Sequence, residues 1–418
     1  MVNQVETDIP AGRWYRGNLH MHSLWSDGCI FPELAAEQFK AAGYHFVAFT
    51  EHDCFQAGEK WIPTGGNTFT GQILQASGFL SAYQARFGTK WVESSLCDGE
   101  QCVRVKPLEE YRTLLEEPER FLILNGEEVT VTSRAGTHWM NVINAPAPNG
   151  GLRVDASPDV AMNRLADWAA RMERESARPI LVSLNHPNYL WNATAEDIVA
   201  ATALQYFEIH TALNCTNSYG DGEHPGAERL WDIVLAHRMC RPGSQPVYGL
   251  ATDDCHAYYK DCDLPSHEHG SSMPGRAWVM VRAPQLSPNN LVSAIKRGDF
   301  YASTGITLTT ITRDSGRLRL QIEEQTGVQY VTQFIGTRRG ADILGKPAGR
   351  AGRITRHYST QVGEVLAEVS GPEPHYIFTG DELYVRAVVL STAPHPNPAI
   401  PGDVMKAWIQ PVVAGLSG

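Results

Sequence analysis

The chain has 418 residues, of which 43% are hydrophobic and 19% charged, and its formal net charge is −11. That length suits one large domain plus a smaller one, and the negative charge speaks against a polynucleotide partner, whose phosphates call for a basic face. No apolar run approaches the ~20 residues of a membrane span, and Met1 to Arg16 lacks the apolar stretch of a secretion signal, so the expectation is an intracellular chain with no membrane partner.

In chain order, a helix is predicted from Pro32, which suits a first helical position, to Gly43, which suits a C-terminal cap. Short apolar strands are predicted at Phe46–Thr50, Phe121–Leu124, Ile180–Leu184, Tyr206–Ile209 and Val247–Leu250. Between them, helices are predicted at Asp159–Ala177, Ala195–Ala203 and Gly226–Arg238, and a last one is capped by Ser287-Pro288 and ended by Gly298. Strands apolar on both faces and separated by helices indicate a parallel sheet covered by helices. About seven such strands make a βα barrel the natural closure, with the chemistry at the carboxyl ends of the strands.

Residues from about 55 to 107 interrupt the alternation with Gly, Ser, Thr and aromatics, and carry a predicted helix near Leu74–Phe87. An insertion leaving just after a strand end is well placed to form a lid. After Gly305 the period changes to two, as in Arg317-Leu318-Arg319-Leu320-Gln321-Ile322, with Gly, Pro and Asp between the runs. Residues 306–418 are therefore expected to form a small β-sandwich-like accessory domain after a 1–305 domain. Its aromatics, Tyr330, Phe334, Tyr376, Phe378, Tyr384 and Trp408, suit a core, a glycan site or an oligomer contact, and homo-oligomer formation is left open. Of the eight cysteines only Cys97 and Cys102 lie close in sequence, and none shows CxxC spacing.

Side chains of the types that hold Zn²⁺, Mn²⁺ or Fe²⁺ return after each predicted strand. They are His20 and His22, Asp27, Glu51-His52-Asp53, Glu127-Glu128, His138, Asn185-His186-Pro187 and Asp253-Asp254-Cys255-His256. His20 and His22 alternate on one extended segment, so both rings point to the same side and can share one ion.

The run Gly17-Asn18-Leu19-His20-Met21-His22-Ser23, with Ser26-Asp27-Gly28, Pro32, Gly43-Tyr44-His45-Phe46 and Thr50-Glu51-His52-Asp53, resembles the opening of the PHP (polymerase and histidinol phosphatase) superfamily. The later motifs follow in that family's order: Gly126-Glu127-Glu128-Val129-Thr130, His138, Asn185-His186-Pro187 and Asp254-Cys255-His256. The resemblance covers residues 15 to about 305. It implies a distorted seven-stranded (β/α) barrel holding two to three divalent ions (Zn, Mn or Fe) at its mouth. His20, His22 and Asp254 would hold the first, Asp27, His52 and His256 the second, and His138 and His186 the third. Glu128, which directly precedes the Val-Thr position, would bridge them, with Glu127 as the second candidate.

Clustered divalent ions lower the pKa of a water they share and neutralise phosphoryl oxygens, so the implied activity is a metal-dependent phosphoesterase acting on a small phosphorylated metabolite or nucleotide. Hydrolysis of an amide, lactone or ester by the same attack is the alternative, followed by a binding module for a glycan or protein. Asp53 and Asp253, beside ligands, are the candidates for acid/base or ligand-orienting roles. Arg134 is the candidate phosphate-binding cation, with Lys260 and Arg276 behind it, and His210 is a further candidate for the mouth. Cys255, between two ligands, is expected to pack.

Overall fold

The computed structural model describes residues 12–65, 78–258, 273–314, 316–348 and 353–413. Seven strands build the predicted alternation: β1 (Arg13–Asn18), β2 (Phe46–His52), β6 (Leu122–Ser133), β7 (Gly136–Ile143), β9 (Leu181–Leu184), β10 (Tyr206–Thr211) and β11 (Tyr248–Thr252). They are neighbours in the order β11-β10-β9-β7-β6-β2-β1 within one fourteen-stranded mixed sheet. A two-residue strand, β8 (Leu152–Arg153), lies beside β6.

The expected all-parallel barrel is modified in two ways. Strand β7 is antiparallel to both neighbours, because β6 runs on past Gly126 and turns back as a hairpin. The alternation Val129-Thr130-Val131-Thr132 suits a strand, and Gly126 permits its start, since a Cβ there would meet the Phe49 and Val142 carbonyl oxygens at 3.0 and 3.2 Å. Among the described residues no ladder joins β11 to β1; a single parallel bridge, Met21 to Cys255, connects the segments that follow them. The fold is thus a mixed α/β arrangement around a large sheet, without a continuous seven-stranded ring.

The helices fall close to expectation. Helix α1 (Pro32–Ala41) begins on its proline, with Glu33 in the first turn and Lys40 in the last, each complementing the helix dipole. The inserted segment contributes β3 (Lys60–Pro63), α2 (Phe79–Phe87), β4 (Ser94–Cys97), β5 (Glu100–Val105) and α3 (Leu108–Leu115). Strands β3, β5 and β4 form their own sheet, and the predicted start of α2 near Leu74 lies outside the described residues. Helix α4 (Pro158–Ser176) buries Ala161, Met162, Leu165 and Ala169 against Val129, Val131, Met140 and Val142 of the hairpin. Next come α5 (Ala195–Ala200), α6 (Ala227–Met239) and α7 (Pro288–Lys296), the last capped by Ser287, whose Oγ accepts from the Asn290 amide. No helix among the described residues is long and apolar enough to cross a membrane.

Strands β12 (Trp278–Ala283) and β13 (Phe300–Ser303), which the periodicity did not reveal, extend the sheet from β1. The period-two region supplies β14 (Leu308–Asp314), β15 (Arg317–Ile322), β16 (Tyr330–Arg338), β17 (Glu364–Ser370), β18 (His375–Ile377), β19 (Glu382–Pro394) and β20 (Val404–Val412). Strands β14, β15 and β18 form a separate sheet, and its Leu308, Leu318 and Leu320 share a core with Phe334, Val385, Ala387 and Ile409 of the large one. The extra β region is not freestanding. Strand β20 pairs with β13, so the large sheet continues without a break from β11 to β17.

A buried ion pair marks the same junction. The Arg386 guanidinium donates to both oxygens of Asp232 on α6, at 2.7 and 2.7 Å, and to Glu228 at 3.0 Å. The Tyr384 hydroxyl donates to Asp232 at 2.9 Å. Arg386 also lies over the Trp231 ring, and Trp231 shares a core with Leu383, Val388 and Trp408.

Candidate metal centre

Three overlapping groups of side chains offer ligand atoms within 4.8 Å of one another: His22, Asp27, His52 and His256; His20, His22 and Asp254; His20, Glu128 and His186. Local sequence explains the convergence. His20 and His22 lie just past β1, His52 ends β2, His186 follows β9 and Asp254 follows β11. Asp27 turns back onto His22 because Gly28 leaves room; a Cβ there would meet the His22 carbonyl oxygen at 2.5 Å. Asp53, His186 and Asp254 have φ of 51°, 24° and 50°, so the backbone leaves extended geometry where the strands stop.

Glu128 stands at the middle of the cluster. Its Oε1 is 3.2 Å from His20 Nε2 and 3.2 Å from His186 Nε2, and its Oε2 is 3.4 Å from His22 Nε2 and 3.2 Å from His52 Nδ1. Glu127, on the opposite face of β6, accepts from the Asn149 and Gly150 amides and enters none of the three groups.

The electrostatics are those of a cation site. Burial pushes the His22 imidazole down to about 4, helped by the neighbouring His256. Burial opposes protonation of His52 and His256 too, yet Glu128 and Asp27 lift the first to about 10, and Asp27 and Asp254 lift the second to about 9. Burial would raise Asp254, but His20 and His256 hold its carboxyl well below the usual range. Among the described residues, His20 Nε2, His22 Nε2, His186 Nδ1, Asp27 Oδ1 and Asp254 Oδ1 are buried without a hydrogen bond. Two of these, His20 Nε2 and Asp254 Oδ1, lie 3.2 Å apart. Buried polar atoms are ordinarily satisfied, so convergent orphans of these two types fit a divalent ion among them.

Further polar side chains brace the candidate ligands; Glu51 and Asn185 stand within the motifs noted from sequence, and Glu208 was not singled out there. Glu208, in the middle of β10, accepts the His186 amide at 2.8 Å and the Thr211 and Thr252 hydroxyls at 2.7 and 2.8 Å, and stands 2.7 Å from His20 Nδ1. Its only sequence signal is a carboxylate inside an otherwise apolar strand. Asn185 donates to Glu128 Oε1 at 2.8 Å. Glu51 accepts from Ser23, Ser26 and Gln56, bracing the loop that carries Asp27. Carboxylates behind metal-binding histidines fix ring orientation. Glu208→Gln is expected to weaken divalent metal binding about ten- to a hundredfold, and calorimetric titration giving an unchanged affinity would remove Glu208 from this role.

Like Glu127, the sequence candidates His138, Arg134, Asp253 and Asp53 lie apart from the cluster. His138 shares the outward face of β7 with Met140 and Val142, touches Ser133 Oγ at 3.2 Å, and is pushed down to about 4 by burial and by Arg353. The resemblance implied His138 as a ligand of a third ion, but the hairpin places Trp139 rather than His138 on the cleft side. Arg134 sits in the hairpin turn, exposed and paired with Asp155 at 2.7 Å. Asp253 is buried and accepts from Asn18 and the amides of Gly275, Arg276 and Ala277; burial raises it to about 6 against those bonds. Since Asn18 Oδ1 accepts the His20 amide, Asp253 acts as a brace two bonds removed from the cluster. Asp53 accepts the Thr130 amide at 2.6 Å, tying the end of β2 to β6.

His210 points away, past an irregularity in β10, and stacks on Trp408 at 5.3 Å. The Arg276 side chain reaches toward Asn397 and the Ala212 carbonyl. Cys255 packs in the core as expected, and Lys260 and Cys262 lie outside the described residues. Cys97 and Cys102 lie diagonally across the β4–β5 hairpin, opposite Glu100 and Ser95 respectively, as free thiols.

The cluster forms the floor of a cleft of about 620 Å³, open mouth included. Trp139, Tyr189, Leu213, Cys215 and Thr216 make its other side.

No family model matches the chain, and no curated protein matches it either. Among solved structures, it is similar to a two-domain protein from Bacteroides vulgatus containing a predicted PHP-like metal-dependent phosphoesterase, at 13% identity and a TM-score of 0.37, covering 96% of each chain. It is similar to PsfC from Pseudomonas syringae at 12% identity and a TM-score of 0.35, covering 68% of this chain and 88% of that one. It is also similar to an amidohydrolase from Chromobacterium violaceum at 14% identity and a TM-score of 0.27, covering 60% of this chain and 92% of that one. Likeness at this level assigns no family and no activity.

Proposed function

We propose that the chain is a metal-dependent hydrolase of small phosphate esters. The observation that carries this reading is the set of three ligand groups sharing His20 and His22 and threaded by Glu128, which suits adjacent ions better than a single one. In this reading His20, His22 and Asp254 hold one ion, and Asp27, His52 and His256 hold a second with His22 alongside. His186 with His20 and Glu128 serves a third. The seven strands act as a distorted barrel whose mouth presents these groups, and residues 306–418 serve as its accessory β domain.

Bound divalent ions lower the pKa of a shared water and offset charge on the oxygens of the reacting group. The chain's own part is charge balance and position. The four carboxylates of Asp27, Glu128, Asp254 and Glu208 compensate less than the six positive charges of three divalent ions, so the loaded site favours an anionic group such as a phosphoryl. The histidines contribute no further negative charge, and Glu208, Asn185 and Glu51 hold the ligand atoms in place before substrate arrives. With the site walled by strand ends, the scissile group approaches only from the open cleft.

The test is turnover of phosphate monoesters, phosphate diesters, carboxyl esters, lactones and amides by protein supplied with Mn²⁺ or Zn²⁺. Phosphate ester hydrolysis that disappears on chelation and returns with metal is the expected result. Turnover confined to carboxyl esters, lactones or amides would replace the phosphoesterase reading with the alternative, and a chain that binds no metal would end both.

A further inference from the structure

Resting on the hydrolase reading, the geometry points to a substrate whose non-reacting part is a flat, uncharged, aromatic group seated on the Trp139–Tyr189 wall of the cleft. Even without its open mouth the cleft, about 210 Å³, exceeds what a phosphoryl group needs, which leaves room for the remainder of the substrate. That remainder meets Trp139, Tyr189, Leu213, Cys215 and Thr216, which carry an indole, a phenol, an aliphatic chain, a thiol and a second hydroxyl. The Thr216 hydroxyl is already engaged with the Leu213 carbonyl at 2.6 Å, which leaves the wall mainly apolar. Among the described residues the wall offers a second anionic group no cation, only the neutral donors of Trp139 and Tyr189, whereas an aromatic ring gains apolar burial and offset or edge contacts.

The wall is built in advance. Trp139, Tyr189 and His186 form a triangle of rings with centroids 5.3 to 5.7 Å apart, so the wall abuts a member of the ligand cluster. Tyr189 and Leu213 come from two different loops, and a buried asparagine locks these together. Asn188 Nδ2 donates to the carbonyls of Asn217 and Pro225, each at 3.0 Å. The first loop is also held in left-handed backbone at Leu190 and Trp191, with φ of 53° and 55°, next to Tyr189. Residues other than glycine occupy that region at a cost, and such strain persists where the surroundings over-determine it. The result is a rigid stacking surface beside the reacting centre, and rigidity lowers the entropy lost on binding a flat group.

The experiment compares 2-phenylethyl phosphate with butyl phosphate, two alkyl monoesters of similar leaving-group reactivity, on full-length Mn²⁺-loaded protein. In parallel, phenylphosphonate and methylphosphonate are titrated calorimetrically as non-hydrolysable probes. The expected result is at least about a tenfold preference for the phenyl member in kcat/KM and in affinity. Trp139→Ala and Tyr189→Ala should each collapse that ratio toward unity. Equal turnover and equal affinity within each pair would overturn the aromatic assignment while leaving the hydrolase reading intact. Absent turnover would count against the hydrolase reading alone, because the phosphonate affinities still decide between a flat aromatic group and none.

Discussion

Asp254→Asn should lower kcat/KM by at least about 10²- to 10³-fold, the range seen when one preorganised electrostatic group is removed from a reacting centre. Asn has the shape of Asp, so the substitution removes charge and little volume. Asp254 Oδ1 lies 3.2 Å from His20 Nε2 and 3.4 Å from His22 Nε2, and both atoms belong to the same ligand group. An amide in that place binds a divalent ion weakly and can turn an N–H toward the ring nitrogens instead. The number of bound metal equivalents should fall together with the rate, while the far-ultraviolet circular dichroism stays that of the parent. Full turnover with a full complement of metal would take Asp254 out of the ligand set.

Arg386→Ala should destabilise the protein by about 3–5 kcal/mol, because it leaves the Asp232 carboxylate buried without its charge partner. Arg386 is 1% exposed and Asp232 4%, so water cannot take over the lost bonds. The control is Asp232→Ala with Arg386→Met, which removes both charges and should recover most of the loss, as replacing a buried pair by apolar groups generally does. Chemical denaturation reads both. A single mutant as stable as the parent would show that solvent reaches the pair. Removing residues 306–418 altogether is the extreme form of the same change. It strips Arg386 from Asp232, uncovers Trp231, and turns β13 into a bare edge that had paired with β20. The fragment is expected to aggregate, and a soluble monomer that binds metal would contradict this.

Much of the cluster was legible in the sequence because its residues stand where apolar strands end, and strand ends can be read locally. His20, His22, His52, His186, Asp254 and His256 all came from such places, and the structure brings them together with Asp27 and Glu128. His138 shows the limit. Whether a strand residue faces in or out depends on register, and a one-residue offset reverses the answer. The β6–β7 hairpin set that register, and of His138 and Trp139 it is Trp139 that reaches the cleft. Glu208 was hidden for another reason: it sits inside a strand, so no motif marks it, and its meaning arises from His20, 188 residues away. Asp53 and Asp253 were noticed for standing beside ligand candidates, but the left-handed backbone at Asp53 and Asp254 separates the directions of neighbouring side chains, and their carboxylates accept backbone amides instead. The union of the two regions was equally invisible, since the pairing of Ala302 with Trp408 leaves no local pattern.

That union bears on how a substrate enters. A sheet hydrogen-bonded without interruption from β11 to β17, and pinned by Arg386 on α6, has no hinge between its halves. Jaw-like closure by swinging one half against the other would have to break a ladder and bury or bare an ion pair at every cycle. Any opening of the cleft therefore falls to the loops at its rim, among them those that carry Tyr189 and Leu213.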